Sequence, residues 1–125
     1  VNFASGEWQG YQGQDFEAVI DMRRENVFTE VGGSFLQNAR SWIWMPTRIV
    51  VEAMLNGESY EKIADITTDV APTDMTPVIR EYTAKIPPTR ARYIRIHAYN
   101  LGKIPVWHPG AGGDAFIFVD EVIIK

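Results

Sequence analysis

Two crowded stretches hold the side chains most able to do chemistry. In Ile104 to Glu121, IPVWHPGAGGDAFIFVDE, Trp107 and His108 stand between Pro105 and Pro109, and Gly110, Gly112 and Gly113 follow. Prolines fix φ and glycines reach angles closed to other residues, so this half of the stretch is a loop. Trp107 offers a flat apolar face, and His108 a ring that both donates and accepts hydrogen bonds. A sugar ring has the complementary chemistry: a C–H patch that stacks and a rim of hydroxyls. In Gln37 to Pro46, QNARSWIWMP, the residues Asn38, Arg40, Trp42 and Trp44 crowd a segment ending in proline. The period of two fits a strand with Arg40, Trp42 and Trp44 on one face, and a protruding loop fits equally. Two tryptophans exceed what a small core needs here, so exposure of at least one for binding stands open beside burial of both. The expected site stacks a sugar on Trp107, Trp42 or Trp44. His108 and Arg40 hydrogen-bond its hydroxyls, with Asn38 and Asn100 as further partners. So few contacts imply an affinity on the order of 0.1–1 mM. The structural alternative has Trp107 capping the core and the glycines merely turning the chain.

Other chemistries find no residues to carry them. The chain has two histidines and no cysteine, which removes multi-histidine metal centres, thiol catalysis and disulfides. No GxSxG, HExxH or phosphate loop is present, and a strand rather than a helix N-terminus follows Gly110–Gly113. Asp120-Glu121 is a conspicuous acidic pair, but adjacent strand residues face opposite sides and cannot flank one scissile bond. The pair reads either as a solvated strand end or as a site where Glu121, with loop oxygens, helps hold a hard cation such as calcium. His97, between Ile96 and Ala98, reads as a sheet-face residue. Net charge is −4 with no cluster of Lys or Arg, which argues against nucleic acid and anionic membrane as partners. No apolar run is long enough to span a bilayer.

The elements that must position these residues are short strands. With 125 residues and 46% apolar composition the chain suits a single domain, 1–125, with a real core. Phe16 to Met22 alternates, Arg23 to Asn26 reads as a polar turn, and Val27 to Leu36 reads as a second strand in which Gly32-Gly33 marks a bulge or close approach. Thr47 to Leu55 puts Ile49, Val51, Ala53 and Leu55 inward, with Val50 among the outward residues. Asn56-Gly57 then signals a hairpin to Tyr60–Ile66. Thr67 to Pro77 is a polar connector. Val78 to Ile86 is a strand that Pro87-Pro88 breaks, and Ala91 to Tyr99 points Ile94, Ile96 and Ala98 inward. Phe116 to Ile124 closes the chain, and Ala4 to Gln14, with Trp8 and Tyr11, reads as a loop or irregular edge whose aromatics pack on the body or face a ligand. Seven or eight short strands without helical spacing predict an all-β antiparallel sandwich.

Taken in order, Trp8-Gln-Gly-Tyr11, Glu17-Ala-Val-Ile-Asp21, Asn56-Gly-Glu-Ser-Tyr60, Ala91-Arg-Tyr-Ile-Arg-Ile96 and Phe118-Val-Asp-Glu-Val-Ile123 resemble the coagulation factor 5/8 type C, or discoidin-like, galactose-binding domain. WHPGAGG with FIFVDE further resembles the C-terminal modules of bacterial family 20 β-N-acetylhexosaminidases, the chitobiases, which are similar to family 32 carbohydrate-binding modules. The resemblance covers nearly the whole chain. It implies a jelly-roll sandwich and recognition of a terminal galactose or N-acetylhexosamine by end loops. It also implies a structural calcium site using a closing-strand glutamate, matched by Glu121. It further implies a noncatalytic, monomeric domain of a secreted, periplasmic or cell-surface glycoside hydrolase. The start at Val1-Asn2 fits a C-terminal piece of such a protein. Two departures stand out. The family's N-terminal Asp-Gly calcium loop finds no match, and its Asp-Gly hairpin turn is Asn56-Gly57 here. The competing function is an interaction module that buries its tryptophans against the parent catalytic domain without binding sugar.

Overall fold

Alternation of apolar and polar residues builds the strands, as a computed structural model shows for the backbone of residues 2–125 and the side chains of residues 12–125. The strands are β1 (Asn2–Gln12), β2 (Phe16–Gln37), β3 (Arg48–Met54), β4 (Tyr60–Thr67), β5 (Val78–Tyr99) and β6 (Phe116–Ile124). Every pairing between them is antiparallel, in the order β1-β6-β2-β5-β3-β4. The inward set on β3 and β5 is the expected one, with Ile49, Val51, Ala53, Ile94, Ile96 and Ala98 all buried. Leu55, expected inward, lies past the end of β3 and is exposed. Val50, expected outward, is buried but stands outside the main core cluster.

Two strands run for 22 residues each and serve both layers. The first part of β2, Phe16 to Asp21, pairs with Tyr93–Ala98 of β5, which carries β3 and then β4 on its other side. The second part, Val31 to Leu36, pairs with β5 on one side and β6 on the other, with β1 beyond. One buried cluster nevertheless joins Ile49, Val51 and Ala53 of β3 to Val119, Val122 and Ile124 of β6. Strands on opposite sides of the β2–β5 pair share a core only if that pair folds over, which makes the protein an antiparallel β-sandwich.

The fold-over explains why the expected short strands are fewer and longer. Arg23 to Asn26 does not reverse the chain. Asp21 pairs with Tyr93 and Asn26 with Ala91, so residues 22–25 bulge opposite Arg92 alone, and Arg23 takes φ 74°. Pro87-Pro88 does not end β5 either. Phe28 pairs with Thr89 and Glu30 with Lys85, so residues 86–88 bulge opposite Thr29. Proline has no N–H to give, and a bulge asks for none. Thr29 and Glu30 instead donate their N–H groups to the Lys125 carbonyl at 2.7 and 3.0 Å. Bulges bend and twist a strand, so these two sites let β2 and β5 pass from one layer to the other.

Gly32 is a close approach, as expected: a Cβ there would collide with the Tyr82 carbonyl oxygen and lie 2.7 Å from Thr83 Cα. At the hairpin, Gly57 takes φ 76° and Asn56 Oδ1 accepts the Glu58 and Ser59 N–H groups at 3.0 and 3.2 Å. The reading of Ala4 to Gln14 as an irregular edge corresponds to β1, an edge strand whose register jumps between Ala4 and Gln9. The packing of Trp8 and Tyr11 lies outside the described side chains.

Candidate functional site

The loops that follow β2 and β5 meet over a small core of their own: Ala39, Trp44, Ile104 and Ala115, with Met75 and Leu101 packed against it. Asn38 and Ile43 exchange backbone hydrogen bonds at 2.9 and 3.0 Å around a 3-10 turn, Ala39–Ser41. Phe116 donates to the Trp42 carbonyl at 2.8 Å, and Trp44 donates to the Phe116 carbonyl at 3.1 Å. The segment is therefore a loop laid against the start of β6. Trp42 takes φ 67°, which breaks the period of two, so Trp42 and Trp44 do not share a face.

Trp44 is a core residue rather than a ligand contact. It is 1% exposed, and its Nε1 donates to the Pro72 carbonyl at 2.9 Å. That bond ties the loop to the connector of residues 68–77. Gln37, buried and not foreseen from sequence, adds to the tie. Its Nε2 donates to the Ala71 and Asp74 carbonyls at 3.0 and 3.2 Å, and its Oε1 accepts from Met45 N at 3.2 Å. Thr68 Oγ1 donates to the Pro46 carbonyl at 2.6 Å.

His108 is likewise structural. It is 6% exposed and touches Trp44 edge-on at 5.3 Å between ring centroids. Gly110 N–H donates to Nδ1 at 2.9 Å, and the other nitrogen, Nε2, lies 2.8 Å from the Ala39 carbonyl. An Nδ1 that accepts leaves the proton on Nε2, which donates to Ala39. With both nitrogens used, His108 has nothing left for a sugar hydroxyl. It ties the two loops together instead. Asn100 is also committed. Its Nδ2 donates to the Gln14 and Ala115 carbonyls at 3.1 and 3.0 Å, and its Oδ1 accepts from Gly102 N at 2.7 Å.

The remaining candidates are Trp107, Trp42, Arg40 and Asn38. Trp107 is 44% exposed and Trp42 is 38% exposed. Trp107 sits edge-on to His108 at 5.6 Å, and the Trp42 indole lies against Gly110, where a Cβ would come within 2.8 Å of Cε2. The glycine-rich turn thus seats one tryptophan while the preceding residues present the other. Neither indole N–H has a hydrogen-bond partner among the described residues, and the exposed Arg40 has no ion pair there. Arg40 and Asn38 line an open groove of about 530 Å³ with Ser41, Met75, Thr76 and Pro77. Asn38 Oδ1 is enclosed and has no hydrogen-bond partner. No motif signalled that the connector would supply half of this groove; its only mark was an unusual length without regular structure.

Glu121 is placed elsewhere, on β6 between Ser34 of β2 and Ala4 of β1. Asp120 is the extra residue of a bulge against β2, and residues 5–8 of β1 stand opposite it. No group of three or more histidine or acidic side chains gathers in one place among the described residues. Calcium takes 6–8 oxygen ligands. The described side chains alone fall short of such a cage. His97 is the sheet-face residue expected, with Nε2 2.7 Å from Asp15, Nδ1 3.2 Å from Glu17, and its ring stacked on Tyr99.

Solved structures similar to this chain include the following three. One is the C-terminal domain of a chitobiase from Bacteroides fragilis, 19% identical with TM-score 0.45, covering 89% of this chain and 65% of that one. The second is a CBM32 module from Clostridium perfringens in complex with GalNAc-β-1,3-galactose, 11% identical with TM-score 0.48, covering 96% and 99%. The third is CBM32-3 from a family 31 glycoside hydrolase of Clostridium perfringens, 12% identical with TM-score 0.44, covering 91% and 72%. This chain therefore spans just under two thirds of the length of the chitobiase domain. No family model matches the sequence, and no curated protein matches it.

Proposed function

We propose that this chain is a noncatalytic carbohydrate-binding module that holds a terminal galactose- or N-acetylhexosamine-type sugar at its loop end. The observation that carries the reading is the pair of exposed, uncommitted indoles, Trp107 and Trp42, on two loops locked together through His108 and Trp44. Large aromatic faces left in water on a rigid platform are suited to stacking on the C–H face of a sugar. Arg40 supplies hydroxyl-directed donors, and Asn38 a further amide. Titration calorimetry of the chain with galactose and N-acetylgalactosamine tests the reading. Saturable binding on the order of 0.1–1 mM is expected, and no turnover of chromogenic N-acetylglucosaminides.

The parent protein in this reading is a secreted, periplasmic or cell-surface glycoside hydrolase of the β-N-acetylhexosaminidase type, with this chain a monomeric domain beside its catalytic one. A calcium ion held by Glu121 and carbonyls of residues 5–8 belongs to the same reading, as a structural element remote from the sugar. A ligand bound only by the folded state raises stability by mass action. Chelator is therefore expected to lower the melting temperature and added calcium to restore it; an unchanged melting curve removes the ion.

One observation favours the interface alternative. Val106, next to Trp107, is 95% exposed, an apolar side chain that a small hydrophilic ligand does not need. If the loop end packs against a catalytic domain, the isolated chain gives no heat with any sugar.

A further inference from the structure

We propose that the groove beside Arg40 gives this site a preference for acidic sugars, in which a carboxylate or sulfate on the ring pairs with the Arg40 guanidinium. The inference rests on the carbohydrate reading above and adds the charge of the ligand to it.

Arg40 lies on the 3-10 turn just before Trp42, exposed, with no ion pair among the described residues. Several cations elsewhere on the surface are taken: Lys103 by Asp114 at 2.6 Å, Arg48 by Asp65 at 2.5 Å, Arg92 by Asp21 at 2.8 Å and Arg95 by Glu52 at 2.8 Å. In a chain of net charge −4, an exposed arginine that lines a groove without an ion pair among the described residues is open to an outside anion. Asn38, Arg40, Ser41, Met75, Thr76 and Pro77 line the groove, and none is acidic. Asp74, the nearest acid in the chain, accepts the Thr76 N–H at 3.0 Å and is not part of the lining. The volume, about 530 Å³, falls within the roughly 300–1,000 Å³ of small-ligand sites. The lining combines donors, a guanidinium and two hydroxyls, with the apolar Met75 and Pro77. Asn38 contributes an enclosed oxygen that lacks a donor. A planar guanidinium matches a carboxylate or sulfate with two parallel hydrogen bonds, which a neutral hydroxyl cannot reproduce.

The test compares galactose, galacturonic acid and galactose 6-sulfate by calorimetry at low salt, on the natural chain and on Arg40→Gln. Acidic sugars are expected to bind about tenfold tighter than galactose, as one charge-assisted pair provides. Arg40→Gln is expected to erase that difference, and an unfolding curve in urea matching that of the natural chain reports an intact fold. The carboxylate and sulfate arms distinguish the two sources of the anion. Galactose binding with equal or weaker binding of both acids overturns the inference and leaves the carbohydrate reading standing. An acid preference that survives Arg40→Gln overturns the assignment to this residue. Failure of all three sugars to bind overturns both.

Discussion

At His108 the directions of two hydrogen bonds decide what the ring can do. Its Nδ1 accepts from Gly110 and its Nε2 donates to Ala39, so the neutral ring bridges two loops and neither nitrogen reaches solvent. Truncation leaves the buried Ala39 carbonyl without its partner, a loss of about 1–3 kcal/mol, and frees the half-buried Gly110 N–H. His108→Ala is therefore expected to lower unfolding stability in urea by about that amount and to weaken sugar binding only as the loops loosen. Unchanged stability with binding lost would return His108 to the ligand. Residue type and neighbours marked Trp107 correctly as a loop residue. They could not separate Trp42 from Trp44, because the positive φ at Trp42 that sends one out and the other in leaves no trace in a non-glycine sequence. Nor could they show that Asn100 spends its amide on Gln14, Ala115 and Gly102, since those partners come from distant positions or from a turn that forms only when folded.

Within the elements, the strands were legible wherever one side of a strand met the core, because period-two burial needs no knowledge of the partner. The bulges were not legible. A polar run and a proline pair look the same whether the chain turns or the neighbouring strand accommodates them. Asp21 is a marker of the first bulge. It takes Arg92 through two hydrogen bonds, at 2.8 and 3.0 Å, and the Arg23 N–H at 2.8 Å, where Arg23 has positive φ. The Arg92 guanidinium, then the Arg23 N–H, lower the Asp21 pKa from 3.8 to about 2. A depressed carboxylate stabilises the fold above its ordinary pKa, and that contribution is lost as pH falls through about 2. The group is exposed, so the effect on global stability is small. The sharper readout is an NMR titration of the Asp21 carboxyl: a midpoint near 2 is expected, returning toward 3.8 in Arg92→Gln. At the second element-level feature, Gly32→Ala drives a Cβ into the Tyr82 carbonyl, a backbone atom that cannot swing aside. A loss of about 1–3 kcal/mol or more is expected from denaturant unfolding. A neutral result would mean that β2 and β5 are further apart than described.

Across the whole molecule, two long bent strands close the sandwich, and the loops leaving them gather at one end over Ala39, Trp44, Ile104 and Ala115. That convergence followed from the expected fold class. The share taken by the connector did not, because Met75, Thr76 and Pro77 carry no motif, and the ties from Gln37, Trp44 and Thr68 that help hold the connector there form only on folding. A rigid end with two open indoles is the centre of the account, and calorimetry of the natural chain against Trp107→Ala, with galactose and N-acetylgalactosamine, tests it most directly. The natural chain is expected to bind one of them with Kd on the order of 0.1–1 mM. Trp107→Ala is expected to show no detectable binding while unfolding within about 0.5 kcal/mol of the natural chain, since Trp107 is a surface residue. Undiminished binding by Trp107→Ala, or no response of the natural chain to either sugar, would contradict it.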